Sequence, residues 1–253
     1  MNTAVVTECI AEASPRSLAR MAGVFQLLEA LTATFGQVIV LGRLVVAGNA
    51  AATAVNILGH ERLFWVGFAS CLIGVVFHIA WALLLYDLLK PVNRRLCLFA
   101  VFVILVGCAI QAVTSLLYLA PLLVLKGGSS LSAFTAEQLR ALALMFLRLN
   151  AYAFDIYLVF FGLWCLLTGL LILRSTFMPR IIGALLAISG LGWMMYLVPP
   201  LAVHLFIPYI AGASALGEIP LLLWFLAVGV NEQRWKEQAS AVGEWRSYRA
   251  MQP

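Results

Sequence analysis

Charge is the scarcest commodity in this chain. Of its 253 residues only 11% are Asp, Glu, Lys or Arg, while 64% are hydrophobic; soluble domains run near 25% charged and 45–50% apolar. A water-soluble fold has too little polar surface to cover that much apolar material, whereas a bilayer leaves it in its preferred solvent. Histidine is nearly absent, with His60, His78 and His204 isolated from one another and no HExxH pattern. That excludes the common helical zinc-enzyme motif and disfavours a haem held by two histidines, so we expect neither metal nor cofactor. The five cysteines, Cys9, Cys71, Cys97, Cys108 and Cys165, contain no CxxC spacing and fall in helices or on the inner side, where no structural disulfide is expected. There is no low-complexity stretch, no convincing internal repeat and no segment polar enough to make a soluble domain. The net charge of +5 does not signal nucleic-acid binding, because the basic residues sit in short clusters between apolar runs rather than on one face. A cleavable signal peptide is not expected: the small-residue site Ala11-Glu12-Ala13 precedes the first apolar run, the reverse of the required order.

What is abundant is long apolar sequence. A helix crossing a hydrocarbon core of roughly 30 Å needs about 20 apolar residues. Six stretches qualify: Met21–Leu41, Leu63–Leu89, Leu96–Leu125, Tyr152–Leu173, Ile181–Val203 and Ile207–Val230. The expected fold is an all-α polytopic membrane bundle of six transmembrane helices, with two short helices in the outer loops. Residues 1–20 form an N-terminal segment, 21–230 the transmembrane domain and 231–253 a C-terminal tail. Ser14-Pro15 reads as an N-cap followed by proline in the first turn. Asn93 caps the third span, and Pro179 suits the first turn of the fifth. Asn49 caps Ala50–Gly59, and Thr135-Ala136-Glu137-Gln138 reads as a capping box. The amphipathic stretch Leu139–Asn150 that follows either lies on the outer surface or runs straight into the fourth span.

Alternate loops fall on opposite sides. Eleven basic residues, including Arg16, Arg20, Lys90, Arg94, Arg95, Arg174 and Arg180, share one side, against five on the other (Arg43, Arg62, Lys126, Arg140 and Arg148). The richer side is expected to be cytoplasmic, with both termini there.

The order and spacing of several short segments resemble a known family. They are Gly48-Asn49-Ala50-Ala51-Ala52-Thr53-Ala54, Pro91-Val92-Asn93-Arg94 and Leu158-Val159-Phe160-Phe161-Gly162-Leu163, then Arg174-Ser175, Pro179-Arg180-Ile181-Ile182-Gly183, Gly217-Glu218 and Gly229-Val230-Asn231. Together, from about Ala19 to Trp235, the chain resembles the bacterial membrane proteins grouped as domain of unknown function 4386. The resemblance implies a six-span protein of a bacterial inner membrane and assigns no activity. Two positions depart from the family pattern. Asn49 stands where Asp is common, and either caps a helix. Trp164 stands where His is common, which removes any role that needs that imidazole.

Ionisable and strongly polar groups inside a bilayer are costly, so each is a candidate for function. Counting 1.5 Å per residue from the nearest helix end, Glu29 lies roughly 13 Å from Arg20, His78 about 18 Å from Lys90, Gln111 roughly 24 Å from Arg95, and Glu218 roughly 20 Å from Asn231. Asp155, about 28 Å from Arg174, sits near the outer interface, where it either reaches the surface or pairs with Arg148. Glu29, His78 and Gln111 recur with small residues at helical steps, as in Ala22, Gln26, Glu29, Ala33 and Gly36, a pattern that turns them toward neighbouring helices. Pro220, two residues after Glu218, is expected to kink the sixth span and free the Leu216 carbonyl. Pro121 and Pro199-Pro200 weaken their spans in the same way.

The bland alternative is that such groups are interhelical glue, and it weighs most for Gln111, His78 and Asp155. For Glu29 and Glu218 function is favoured, since an acid costs more to bury than an amide. Glu29, His78, Gln111, Asp155 and Glu218 are therefore the candidate binding residues, with no catalytic set defined. Three function classes follow: a small-solute or ion-coupled transporter or binder; a non-catalytic membrane subunit or sensor; and an intramembrane enzyme working through buried carboxylates, disfavoured for want of a motif. The expected partners are the lipid bilayer and a small molecule or ion. Nothing in the sequence sets an oligomeric state.

Overall fold

In the computed structural model, residues 14–198 and 211–250 are described, and every regular element among them is helical. The helices are α1 (Pro15–Leu44), α2 (Ala50–Gly59), α3 (Glu61–Leu89), α4 (Arg94–Lys126), α5 (Ala136–Arg174), α6 (Arg180–Met194), α7 (Ala211–Ala227) and α8 (Glu232–Ala250). Five of them, α1, α3, α4, α5 and α6 with its 3₁₀ extension to Leu197, are long and apolar enough to cross a membrane. A sixth span is reached if α7 and the start of α8, bent by 103°, count as one. Large apolar side chains such as Phe102, Val113 and Leu116 stand more than half exposed, as lipid-facing residues should. Cys9, Pro199-Pro200, His204 and the start of the sixth apolar stretch at Ile207 lie outside the described residues.

The helix starts follow local chemistry. The backbone N–H of Ser17 donates to Ser14 Oγ (3.2 Å), that of Ala52 to Asn49 Oδ1 (2.9 Å), and that of Leu96 to Asn93 Oδ1 (3.0 Å). Thr135 and Gln138 form the reciprocal pair of a capping box: the Gln138 N–H donates to Thr135 Oγ1 (3.3 Å) and the Thr135 N–H to Gln138 Oε1 (2.9 Å). Pro179 sits one position earlier than expected, as the extended residue before α6. That suits its lack of an N–H equally well.

Of the two arrangements open to Leu139–Asn150, the structure takes the continuous one. It forms the first turns of α5, whose 39 residues extend about 58 Å. No glycine or proline interrupts the segment. Asn150, which would otherwise favour a helix end, is buried and donates its amide to the Thr114 carbonyl on α4 (3.1 Å). Pro121 and Pro220 likewise lie inside continuous helices. Neighbouring helices and side chains can satisfy the backbone groups that a proline frees inside a membrane. A sharp turn comes after Ala227, where Gly229 takes φ +76°.

The chain divides into two compact units, and helices α1, α3, α4 and α5 each contribute to both. One unit gathers the described parts of Met1–Gln26, Ile79–Leu105 and Leu158–Pro253. Within it a glycine contact joins α5 and α6. A Cβ on Gly162 would lie 2.7 Å from the Gly190 carbonyl, and one on Gly183 2.7 Å from the Gly169 carbonyl. The two pairs are one heptad apart on antiparallel helices, so backbone meets backbone over two turns. On the same unit, Trp81 and Trp164 pack edge to face at 4.6 Å between centroids, both fully buried. Trp164, at the position where the resemblance led us to expect histidine, thus serves as packing. The turn into α8 is tied down by the Asn231 N–H to the Phe177 carbonyl (3.2 Å), Trp235 Nε1 to the Leu88 carbonyl (2.8 Å), and Gln238 Oε1, which accepts from Thr176.

The other unit gathers Leu27–His78 and Val106–Tyr157. Its core is built from Val40, Leu44, Ile57, Phe64, Cys71, Tyr118, Leu122 and Leu147. Here α1 loosens into a π-helical segment, Thr34–Val40. Gly36 in that segment meets the backbone of Gly67 on α3, where a Cβ would lie 2.7 Å from the Gly67 carbonyl, and the Gly36 carbonyl accepts from Tyr118 Oη (3.3 Å). Insertions of this kind recur at functional sites in helices. This one begins five residues after Glu29.

Candidate functional site

Within the second unit three helices bring an acid, an imidazole and a phenol into line. His78 on α3 is fully buried. Its Nδ1 lies 3.5 Å from Glu29 Oε1 on α1 and 3.1 Å from Tyr157 Oη on α5. Glu29 is 8% exposed and Tyr157 3%. Among the described residues, His78 is the only basic group within ion-pair distance of Glu29.

Each side chain arrives by helix packing. Gly74, one turn before His78, lets α3 approach α1: a Cβ there would stand 3.0 Å from Thr32 Oγ1. Thr32 hydrogen-bonds back to the carbonyls of Leu28 (2.7 Å) and Glu29 (3.0 Å), and Ser70 Oγ donates to the Thr32 carbonyl (2.9 Å). The turn that carries Glu29 is therefore held against α3 by polar contacts one turn away from the carboxylate itself. The Tyr157 ring packs at 5.4 Å from Phe154 and stands edge-on to His78 at 6.1 Å.

Helix α4 lines the same unit. The buried Cys108 thiol lies within electrostatic reach of the Glu29 carboxyl. Gln111 follows three residues later on the same face. It is 1% exposed, and neither atom of its side-chain amide has a hydrogen-bond partner among the described residues. A buried amide with both ends unpaired carries a cost of several kcal/mol, on the order of 2–7. Asp155 is half-buried and forms no ion pair among the described residues. The pairing with Arg148 that sequence proximity suggests is absent there.

Glu218 belongs to the first unit and has partners of its own. Its Oε1 accepts from Trp193 Nε1 (2.6 Å) and Ser189 Oγ (3.1 Å), both from α6 and its extension, and its backbone carbonyl accepts from Gln26 Nε2 (3.2 Å). Gly217 makes this possible. A Cβ there would come 2.6 Å from the Leu185 carbonyl, so α7 can lie flush on α6. Of the five residues singled out from sequence, the structure joins Glu29 to His78, buries Gln111 on α4, and bonds Glu218 to α6.

Sequence reasoning missed Tyr157, Ser189 and Trp193. Tyr157 carried a readable signal, being a phenol inside an apolar span, since a buried tyrosine hydroxyl usually finds a partner.

No curated protein and no solved structure matches the chain. The all-helical fold, the apolar spans and the lipid-facing side chains make it a multi-pass integral membrane protein. The model of one family, Domain of unknown function (DUF4386), matches residues 21–229, and the chain belongs to that family.

Proposed function

We propose that this protein is a small-solute or ion-coupled transporter or binder, built around the buried acid of α1 and lying in a bacterial inner membrane with both termini in the cytoplasm. One observation carries the reading: a carboxyl group sits in the span with, among the described residues, only an imidazole as its basic neighbour, and that imidazole is bonded to a phenol on a third helix. Burying an acid costs more than burying an amide, so glue alone is a poor reason for Glu29. The unpaired amide of Gln111 adds a donor and an acceptor that a polar solute would satisfy. The orientation rests on the eleven-to-five distribution of basic residues.

Glu218 supports the second reading, that of a non-catalytic subunit. Its carboxylate is taken up by direct bonds from Trp193 and Ser189, which is how a packing residue is bonded. An enzyme working through Glu29 and Glu218 as a carboxylate pair gains no support from residues so differently engaged.

The test is uptake into proteoliposomes of a panel of labelled amino acids, sugars and organic acids, with and without an imposed pH gradient. Uptake by the wild type and its loss in E29Q and H78N, with folding retained, is the expected outcome. If every solute that the wild type accumulates is accumulated equally by E29Q, the acid is structural and the subunit reading stands.

A further inference from the structure

The imidazole of His78 offers one nitrogen, Nδ1, to two neighbours at once. Tyr157 Oη lies 3.1 Å away on α5 and Glu29 Oε1 3.5 Å away on α1. A ring nitrogen has either a lone pair or a proton. With the lone pair present it accepts from the tyrosine hydroxyl. With a proton present it donates to the carboxylate, and the hydroxyl must turn its own hydrogen elsewhere. The two bonds exclude each other. From this we infer that Glu29, His78 and Tyr157 form a proton-operated switch that ties α3 to α5 in one state and to α1 in the other. The inference rests on Glu29 and His78 being the working site proposed above, and it names the proton as the ion of that site.

The step balances as a single proton transfer. In the first state the Glu29 carboxyl is protonated, the ring carries its proton on Nε2, and Tyr157 donates to Nδ1. The proton then leaves Glu29 Oε1 for Nδ1. This gives a carboxylate facing an imidazolium with no change in the total charge of the pair. The shorter contact to Tyr157 matches the first state.

The donor set favours a proton over a metal cation on chemical grounds. Hard cations gather six or more oxygen ligands, whereas here an imidazole nitrogen is central, and imidazole is the side chain suited to exchanging protons near neutrality. Among the described residues no group of three or more His, Cys, Asp or Glu side chains is placed to hold a metal ion. Among the described residues, the titratable groups that face the switch include Glu29 from α1, Tyr157 from α5 and, within electrostatic reach of Glu29, the Cys108 thiol from α4. Gln111 on α4 is uncharged.

Two nearly isosteric substitutions should push the switch in opposite directions, which a merely structural cluster would not do. The full chain, labelled with ¹⁵N-histidine in lipid nanodiscs at one fixed pH, reports whether Nδ1 carries a proton. The His78 signal is assigned by its loss in H78N. E29Q removes the charge that holds a proton on Nδ1, so the bare form should rise. Y157F removes the hydroxyl that holds the lone pair, so the protonated form should rise. A hydrogen bond is worth about 0.5–1.5 kcal/mol net, so each ratio should move roughly 2- to 12-fold. The fold-neutral second arm replaces all tyrosines with a fluorinated, more strongly donating analogue, which should raise the bare form in the wild type and leave Y157F unchanged. Ratios that stay put, or that move the same way in E29Q and Y157F, overturn the switch. This readout needs no solute. Failure of the switch with uptake intact, or the switch without uptake, therefore separates this inference from the transport reading.

Discussion

Replacing Gly190 with alanine adds one methyl group where two helix backbones touch. In the structure that carbon would lie 2.5 Å from the Gly162 carbonyl oxygen and 2.6 Å from the Leu166 nitrogen, against an ordinary contact of 3.4 Å or more. The neighbours are main chain, so no side chain can swing aside, and α5 and α6 must part by close to 0.9 Å locally. Inserting a methylene-sized group into a packed interface costs typically about 1–3 kcal/mol. Alanine returns up to about 1 kcal/mol through its higher helix propensity. The Gly169–Gly183 pair one heptad away is strained open by the same movement, which leaves a net loss of roughly 1–2 kcal/mol. The assay is unfolding in mixed micelles with increasing denaturing detergent, followed by tryptophan fluorescence. G42A is the control: a Cβ at Gly42 meets nothing within 4 Å, so its stability should be unchanged or slightly higher. G162A carries the same clash from the other helix, so G162A/G190A should show a clear coupling term rather than simple addition. A G190A protein as stable as wild type, or a G42A protein as weak as G190A, would refute the close-packed glycine contact.

Three further outcomes are expected. E218Q keeps an acceptor for Trp193 Nε1 and Ser189 Oγ and should unfold within about 0.5 kcal/mol of wild type, whereas E218L strands both donors and should lose about 1–3 kcal/mol; equal behaviour of the two in the same micelle assay would contradict the bonded role of Glu218. N150L removes the amide bond to the Thr114 carbonyl that ties α5 to α4 and should cost about 0.5–1.5 kcal/mol, so an unchanged thermal midpoint would show that this contact does not hold the long helix. Reporter fusions after Val230 and near Ser129 should report opposite sides of the membrane, and the same side for both would mean that the number of spans is not six.

The class of protein and much of its outline were legible in the sequence because they depend on quantities summed along the chain. Apolar length decides which stretches can cross a bilayer, and the apolar runs around Leu63–Leu89, Leu96–Leu125 and Tyr152–Leu173 fall inside α3, α4 and α5. Helix starts are local as well: Asn49, Asn93 and the Thr135–Gln138 box each satisfy N–H groups three residues away, so four letters suffice to read them. The periodic faces of α1 and α3 likewise placed Glu29 and His78 toward helix neighbours.

Which neighbours they meet was decided only by the tertiary structure. A helical stripe fixes a residue's angle on its own helix and says nothing of the rotation or register of the next one. Tyr157 therefore came to His78, and Trp193 and Ser189 to Glu218, without a signal in the spacing. The same holds for the Gly162–Gly190 and Gly169–Gly183 contacts, where each glycine alone is unremarkable and only the antiparallel register makes the pairs. Backbone path followed packing too. Pro220 lies inside α7, and the sharp turn of the chain comes after Ala227, where Gly229 can adopt a positive φ and Asn231, Trp235 and Gln238 find partners on Phe177, Leu88 and Thr176. A local preference of a few kcal/mol yields wherever several contacts from distant parts of the chain act together, and those contacts exist only once the helices are assembled.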